Sequence, residues 1–326
     1  MTIKNCPPRR VLRVQSSYVA GTPSIDKAFA DGIAKLNQFL PHVYFQSGAP
    51  DEFVPVATTE ENLVSGNLDA AFTGLSYSRL QNSFYELYTS IPFGVEANAY
   101  LSYLFEQGGV ETINKEAEKD GLYLFPMCCL PPETGGWYQM EIKSPEDFKQ
   151  IKMRIYGLGR NILQKLGAET VFLPQNQLIP ALESGQINAV EFSTIEIDDY
   201  TNLPEKLNYW YAPSWNQLST VLYFVMNLEK WKSLSPSEQR LLQFLLKENM
   251  YSTYINSNHK QIEVVEKHKD KLRTFPDSVL AALKKAWEEW LDEPSNESTK
   301  KEYQKIRNYA AQYKAYDSLM KRGVTD

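Results

Sequence analysis

The chain has 326 residues, more than one hydrophobic core usually holds, so two domains are expected. Hydrophobic residues make up 43% and charged residues 23%, as in ordinary globular proteins, and the net charge of -6 argues against a nucleic-acid-binding protein. No apolar run approaches the roughly 20 residues that a membrane-spanning helix needs.

The first ten residues include basic side chains but lack the apolar segment of a secretory signal peptide. Two origins stay open: a cytoplasmic protein, or a chain whose signal was removed and replaced by an initiator Met. The cysteines, Cys6, Cys128 and Cys129, predict no disulfide framework, and the adjacent pair is typical of small apolar side chains in a buried strand. The histidines match no metal-ligand spacing.

In chain order, strand patterns alternate with helical patterns through the first two thirds of the sequence. Such alternation favours mostly parallel sheets that are covered on both faces. The predicted strands are 10–17, 41–48, 68–73, 123–129, 152–155 and 169–172, and the predicted helices are 24–39, 98–107, 112–120, 159–166 and 176–183.

A buried strand at 220–227 is followed by a long helix, which begins at a capping box of Ser235 and Glu238 with Pro236 at the first helical position. Helical periodicity continues to about Leu272, which predicts a helix longer than ~45 Å that braces two lobes. The tail, 277–290 and 299–321, is helical and rich in aromatic residues. Packing is the main interpretation of these aromatic residues, and a contact between lobes or subunits is the alternative.

An internal repeat supports two similar lobes. Residues 61–72 and 179–192 each show the end of a helix, a Ser-Gly pair, and a short strand of the form apolar–Asp/Asn–Ala. We expect each glycine to supply the left-handed position that ends the helix.

Recognisable catalytic motifs are missing from the sequence, which lowers the expectation of an enzyme. It contains no GxSxG, P-loop or HExxH motif, and Gly157-Leu158-Gly159 lacks the third glycine of a dinucleotide site. Arg154 draws attention instead, because it ends a predicted strand, where open α/β sheets bind their ligands. A guanidinium there suits a carboxylate, although residue type alone favours a structural ion pair.

Three further segments carry candidate side chains. The loop 133–138 offers Glu133, two glycines that permit close backbone approach, and the flat ring of Trp137. Glu191-Phe192 ends the second copy of the repeat, where an exposed strand-end glutamate is the alternative interpretation. The aromatic segment 209–217, which contains Trp215 and Gln217, suits a ligand pocket or packing between lobes.

These segments, in this order, resemble the TRAP-transporter solute-binding proteins (DctP-like), most of all the branch that binds 2-oxo acids or lactate. The matching stretches are 91–94, 135–137, 153–159, 166–168, 181–191 and 209–215. The resemblance implies an α/β, periplasmic-binding-protein-like (type II) fold of two α/β lobes with crossing strands and a long bracing helix. We expect lobe I at 1–126 plus about 216–255, and lobe II at about 127–215 plus 256–326 with the C-terminal helices.

The resemblance also implies a site. Arg154 would form a salt bridge with the carboxylate of the solute, and a cation beside it, Ca²⁺ or Na⁺, would be held by oxygen ligands. The implied cation ligands are Glu191, Phe192, Glu133 and Gln217, and the implied solute contacts are Arg154, Glu133, Tyr77, Trp137, Phe192, Trp215 and Gln217.

This chain departs from the branch at three of these positions. Glu133 stands where the branch has glutamine, Phe192 where it has tryptophan, and Gln217 where it has a second glutamate. Glu133 and Glu191 at one site favour either a bound cation or a solute with its own positive charge. Without such a positive charge, two close carboxylates repel each other, and the pKa of one of them rises sharply.

The resemblance predicts a periplasmic, non-enzymatic receptor of a TRAP-type secondary transporter, with its signal peptide removed, that closes two lobes on a small organic carboxylate. The predicted partners are the membrane subunits of the transporter and, through the C-terminal helices, a second copy; no cofactor is required. Two alternatives stay open: an enzyme with Glu133 or Glu191 as general base, and a sensory receptor without a transporter.

Overall fold

The computed structural model describes residues 9–77 and 82–321. Its strands are β1 Arg10–Ser16, β2 Val43–Gly48, β3 Ala70–Thr73, β4 Leu122–Leu130, β5 Trp137–Tyr138, β6 Lys152–Arg154, β7 Glu169–Val171, β8 Ala189–Val190, β9 Tyr209–Tyr211, β10 Thr220–Asn227 and β11 Leu272–Arg273. Its helices are α1 Ile25–Phe39, α2 Thr59–Ser65, α3 Ser83–Thr89, α4 Ala97–Glu106, α5 Gly109–Ala117, α6 Leu158–Lys165, α7 Leu178–Glu183, α8 Ile195–Tyr200, α9 Leu203–Lys206, α10 Leu228–Lys232, α11 Pro236–Lys267, α12 Asp277–Leu291 and α13 Glu297–Met320.

The strands form two sheets. The first has the order β2-β1-β3-β10-β4, in which β1 pairs in parallel with β2 and β3, and β10 runs antiparallel to β3. The second has the order β11-β9-β5-β8-β6-β7, with parallel pairs at β6–β7, β6–β8 and β9–β11. In the second sheet β5 runs antiparallel to both β8 and β9, so both sheets are mixed. The alternation of strands and helices in the sequence predicts the parallel pairs but not these antiparallel ones.

The chain divides into two compact units. Unit 1 comprises 1–74, 110–129 and 221–256, and unit 2 comprises 75–109, 130–220 and 257–326. This division differs from the predicted lobes mainly at 75–109, whose helices α3 and α4 pack on α13 within unit 2. The predicted lobe boundaries stay a prediction, because compactness alone does not define a lobe.

Unit 1 buries one face of α1 against its sheet. The ring of Phe29 on α1 stacks on Phe72 of β3, and Phe45 of β2 meets Phe224 of β10 edge to face. Cys128 and Cys129 form no disulfide and are fully buried in β4, as their sequence context predicts.

Both copies of the internal repeat adopt the predicted conformation, one in each unit. Gly66 follows α2 with φ of 77°, and Gly185 follows α7 with φ of 71°, both in the left-handed region that glycine tolerates best. Each of these helix ends leads into a short strand, β3 in the first copy and β8 in the second.

The long helix α11 has the predicted start but an earlier end. Ser235 and Glu238 exchange the two hydrogen bonds of a capping box, and the 32 residues span about 48 Å. The helix ends at Lys267 rather than near Leu272, because Leu272 pairs with Trp210 to form β11. Among residues 9–77 and 82–321, no helix combines the length and apolar character that crossing a bilayer requires.

The C-terminal helices α12 and α13 are anchored within unit 2. Trp287 is fully buried and meets Tyr303 edge to face, as expected of packing residues. The buried carboxylate of Glu302 accepts hydrogen bonds from the hydroxyls of Tyr88 and Tyr103, which ties α13 to α3 and α4.

Candidate functional site

Arg154 and Glu191 meet at the carboxyl ends of adjacent strands in unit 2. Arg154 is the last residue of β6, and Glu191 directly follows β8, which pairs with β6 in parallel. The backbone N–H of Glu191 donates to the carbonyl of Arg154 at 2.9 Å. Parallel strands bring their carboxyl ends to one edge of the sheet, so the sequence position of both residues already predicts this proximity.

The guanidinium of Arg154 is buried, with 2% of the residue exposed. It donates from Nε to the carbonyl of Leu173 at 3.1 Å and from Nη1 to the carbonyl of Glu191 at 2.6 Å. The rings of Tyr156 and Phe192 lie 4.2 and 4.7 Å from its central carbon. Within the described ranges, no carboxylate forms an ion pair with Arg154, so this positive charge is solvated by dipoles and ring faces alone.

A chain of hydrogen bonds joins the two candidate carboxylates. Glu191 Oε1 accepts from the amide nitrogen of Gln217 at 2.7 Å, and the amide oxygen of Gln217 accepts from the Thr220 hydroxyl at 3.0 Å. That hydroxyl also lies 2.5 Å from Glu133 Oε1. Burial raises the pKa of Glu133 well above its ordinary value, and the nearby charge of Glu191 raises it further.

Each of these glutamates keeps one buried oxygen to which no N–H or hydroxyl group of the described residues donates a hydrogen bond. Glu133 Oε2 and Glu191 Oε2 are both shielded from solvent and accept no hydrogen bond in the structure. Buried carboxylate oxygens of this kind fit a hard cation, which is bound by oxygen ligands. No cluster of three or more His, Cys, Asp or Glu side chains forms a metal site within 9–77 and 82–321, so amide or carbonyl oxygens would have to complete the set.

The loop that carries Glu133 is held by backbone contacts on three sides. Glu133, Thr134 and Gly135 donate from their N–H groups to the carbonyls of Gln217, Ser193 and Tyr211. Gly136 in this loop has φ of 99°, a backbone conformation that favours glycine.

The aromatic candidates differ in their surroundings. Trp137 is fully buried in the core of unit 2, where its ring stacks on Trp210. Trp215 is also buried, but its indole N–H has no hydrogen-bond partner in the described chain. The side chain of Tyr77 lies outside the described residues. Solute contact by any of these aromatic residues stays a prediction.

Two buried polar residues of this region were not predicted from the sequence. Thr220 bridges Glu133 and Gln217, and Asp198 accepts hydrogen bonds from both Thr134 and Trp137. Their only sequence signal is a polar side chain beside an apolar run, which is also common on protein surfaces.

The comparison with protein families agrees with this geometry. The model of the bacterial extracellular solute-binding proteins, family 7 (DctP), matches residues 54–298. The chain is a member of this family. The family prediction made from the sequence is therefore confirmed.

Among the relatives of this family-7 protein, a monocarboxylate 2-oxoacid-binding periplasmic protein of Nostoc sp. is 29% identical over 195 residues. The match covers 60% of this chain and 54% of that protein, so the chain spans about half the length of the curated relative it matches.

Two solved structures share the fold across nearly the whole chain. A TRAP periplasmic solute-binding protein from Pseudoalteromonas atlantica, with bound sodium and pyruvate, has a TM-score of 0.89, 24% identity, and coverage of 95% of this chain and 97% of that one. A TRAP solute-binding protein from Bordetella bronchiseptica, a mixed occupancy dimer with calcium and picolinate, has a TM-score of 0.89, 22% identity, and coverage of 98% and 99%. The predicted periplasmic-binding-protein-like fold class is confirmed.

The raised pKa of Glu133 predicts how stability depends on pH. The folded protein holds this proton more tightly than the unfolded chain does, so the free energy of unfolding falls as the pH rises above the ordinary value of 4.5. Glu133→Gln carries no titrating proton and is expected to flatten that fall above the ordinary pKa of 4.5.

Urea unfolding of the ligand-free, chelator-treated protein measures this slope. Glu169→Gln, at an exposed position, serves as the control and should keep the slope of the unmodified protein. An unchanged slope in Glu133→Gln would contradict the assignment of the raised pKa to this residue.

Proposed function

We propose that this family-7 protein is the periplasmic solute receptor of a TRAP-type transporter. Its solute is a small organic monocarboxylate of the 2-oxo acid type, bound beside a cation, and its partners are the membrane subunits of that transporter. The role is binding without chemical turnover. The observation that carries the proposal is the buried guanidinium of Arg154, which has no carboxylate partner in the described ranges.

The environment of Arg154 supports an anionic solute. An unpaired charge inside a protein is costly, and a carboxylate that docks on two guanidinium nitrogens offsets that cost with charge-assisted hydrogen bonds. The relatives support this solute class, since the Nostoc protein binds monocarboxylate 2-oxo acids and the Pseudoalteromonas protein was solved with pyruvate.

The two glutamates support the cation. With Glu133 deprotonated, Glu133, Glu191 and a monocarboxylate carry three negative charges against the single positive charge of Arg154. A Ca²⁺ ion that displaces the Glu133 proton would therefore neutralise the site, and Na⁺ would do so in part. Glu133 Oε2, Glu191 Oε2, the amide oxygen of Gln217 and the carbonyl of Phe192 are the oxygen ligands that we propose. The similar structures contain sodium together with pyruvate, and calcium together with picolinate.

Arg154→Ala is expected to lower the affinity for pyruvate by at least about 30-fold, because truncating one partner of a buried charge pair costs about 2 to 5 kcal/mol. Isothermal titration calorimetry with excess Ca²⁺ measures this loss. Lys152→Ala, an exposed change on the same strand, should bind as the unmodified protein does. Equal affinity in Arg154→Ala would contradict the proposal, as would release of a chemically altered acid.

Removal of the cation is expected to weaken acid binding by about 5- to 150-fold, the usual range for coupled sites. The protein is treated exhaustively with chelator and desalted, then titrated with pyruvate alone, with Ca²⁺, and with Na⁺. Glu191→Gln should lose most of the response to the cation. Acid binding that is indifferent to both cations would remove the cation from the proposal.

We also propose that the exposed end of α13 pairs with a second copy of the chain. Residues 302, 306, 309, 313, 316 and 320 recur at spacings of four and three, which places them on one helix face. Residues 302 and 306 are buried within unit 2, whereas Tyr316 and Met320 are 62% and 63% exposed. The Bordetella relative is described as a dimer.

The double variant Tyr316→Glu, Met320→Glu is expected to sediment as a monomer of 37.4 kDa, since it places charge in the proposed contact, while the unmodified protein sediments at twice that mass. Ser318→Glu adds a charge on the opposite face and should leave the dimer intact. A monomeric unmodified protein, or a dimeric double variant, would contradict this contact.

A further inference from the structure

Asp198 is a fully buried carboxylate on α8, a few residues beyond β8. Its Oδ2 accepts hydrogen bonds from the Thr134 hydroxyl and from the indole N–H of Trp137, both at 2.9 Å. Its Oδ1 accepts a hydrogen bond from the backbone N–H of Ser193 at 3.0 Å. In the described part of the chain, no lysine or arginine pairs with it, so these donors alone stabilise the group.

The donors belong to the two segments that carry the candidate cation ligands. Thr134 adjoins Glu133, and Trp137 begins β5 directly after the same loop. Ser193 adjoins Phe192, and the two segments are also joined directly by the hydrogen bond from the Thr134 N–H to the Ser193 carbonyl at 3.1 Å. One carboxylate therefore fixes the distance between the Glu133 loop and the end of β8.

The bond to Ser193 also orients a carbonyl group. The Phe192–Ser193 peptide is trans, as is every described peptide bond other than Ala212–Pro213. In a trans peptide the C=O points opposite to the N–H, so an N–H directed at Asp198 turns the Phe192 carbonyl away from Asp198. The same hydrogen bond polarises the peptide and strengthens its carbonyl as a ligand.

We propose that Asp198 is the positioning residue of the cation site, which holds Glu133 and the Phe192 carbonyl at the spacing that one cation requires. The proposal rests on the cation of the proposed function. Asp198 acts through its hydrogen bonds and does not touch the cation itself. Partners behind the ligands of a metal site characteristically set its affinity in this way.

The test is the Ca²⁺ affinity of Asp198→Asn, measured by calorimetry on the full chain after chelator treatment. Asparagine has one acceptor oxygen, so its NH₂ group must face either the Ser193 N–H or the Trp137 N–H, and one segment is released. We expect Ca²⁺ affinity to fall about 10- to 100-fold. Pyruvate affinity at saturating Ca²⁺ should return to within a few-fold of the unmodified protein.

A purely structural role would give a different result. Asp198→Asn would then lower the thermal unfolding midpoint and the fraction of binding-competent protein, while the dissociation constant of the folded fraction stayed unchanged. Asp199→Asn is the matched control, because this neighbouring carboxylate pairs with Lys267 and His268 and makes no hydrogen bond to either segment. It should bind Ca²⁺ as the unmodified protein does.

Thr134→Val keeps the test decisive even when Asp198→Asn fails to fold. It removes one of the three donors, leaves the carboxylate in place, and is expected to lower Ca²⁺ affinity by a smaller factor. Unchanged Ca²⁺ affinity in Thr134→Val, with Asp198→Asn unchanged or unfolded, overturns the proposal. Acid binding without any cation dependence overturns it as well but leaves the receptor role standing, whereas an unmodified protein that binds no acid refutes the proposed function itself.

Discussion

The buried charge of Arg154 is the constraint on which the site depends. A guanidinium at the end of a central strand, out of contact with water, is stable only where dipoles and counter-charges surround it. Here the guanidinium is partly stabilised by the carbonyls of Leu173 and Glu191 and by the faces of two aromatic rings. In the proposed function an anionic solute supplies the missing counter-charge, so a positively charged side chain whose burial is costly also serves as a specific recognition element.

The neighbouring carboxylates, by contrast, require a positive counter-charge. Glu133 and Glu191 are buried and linked through Gln217 and Thr220, and each leaves one oxygen unpartnered. A carboxylate solute alone would add to their repulsion, whereas a cation satisfies the free oxygens and the solute together. In this account Arg154 selects the sign of the solute, and the two glutamates make its binding depend on a cation.

The sequence predicted the parts of this arrangement that depend on local pattern. Gly66 and Gly185 end their helices because few other residues tolerate left-handed backbone, and Arg154 lies at the site because strand ends of a parallel sheet share one edge. Pairing between distant strands leaves no local pattern in the sequence. The periodicity of α11 therefore predicted a helix up to Leu272, a residue that instead pairs with Trp210.

Thr220 and Asp198 escaped prediction for a related reason. They lie 87 and 64 residues from Glu133 and Thr134, their partners in the site. A lone polar residue in an apolar context carries no sign of which distant group it meets. The resemblance to a family supplied Glu133, Glu191 and Gln217 as neighbours, but only the fold shows the hydrogen bonds that join them.

Native mass spectrometry of the purified protein shows whether the acid and the cation bind together and whether Arg154 holds the acid. With pyruvate and Ca²⁺ added, we expect a species that carries one acid and one cation, and we expect Arg154→Ala to lose the acid under the same conditions. A spectrum in which the unmodified protein and Arg154→Ala carry the acid equally, or in which neither carries it at any concentration, would refute the role of Arg154.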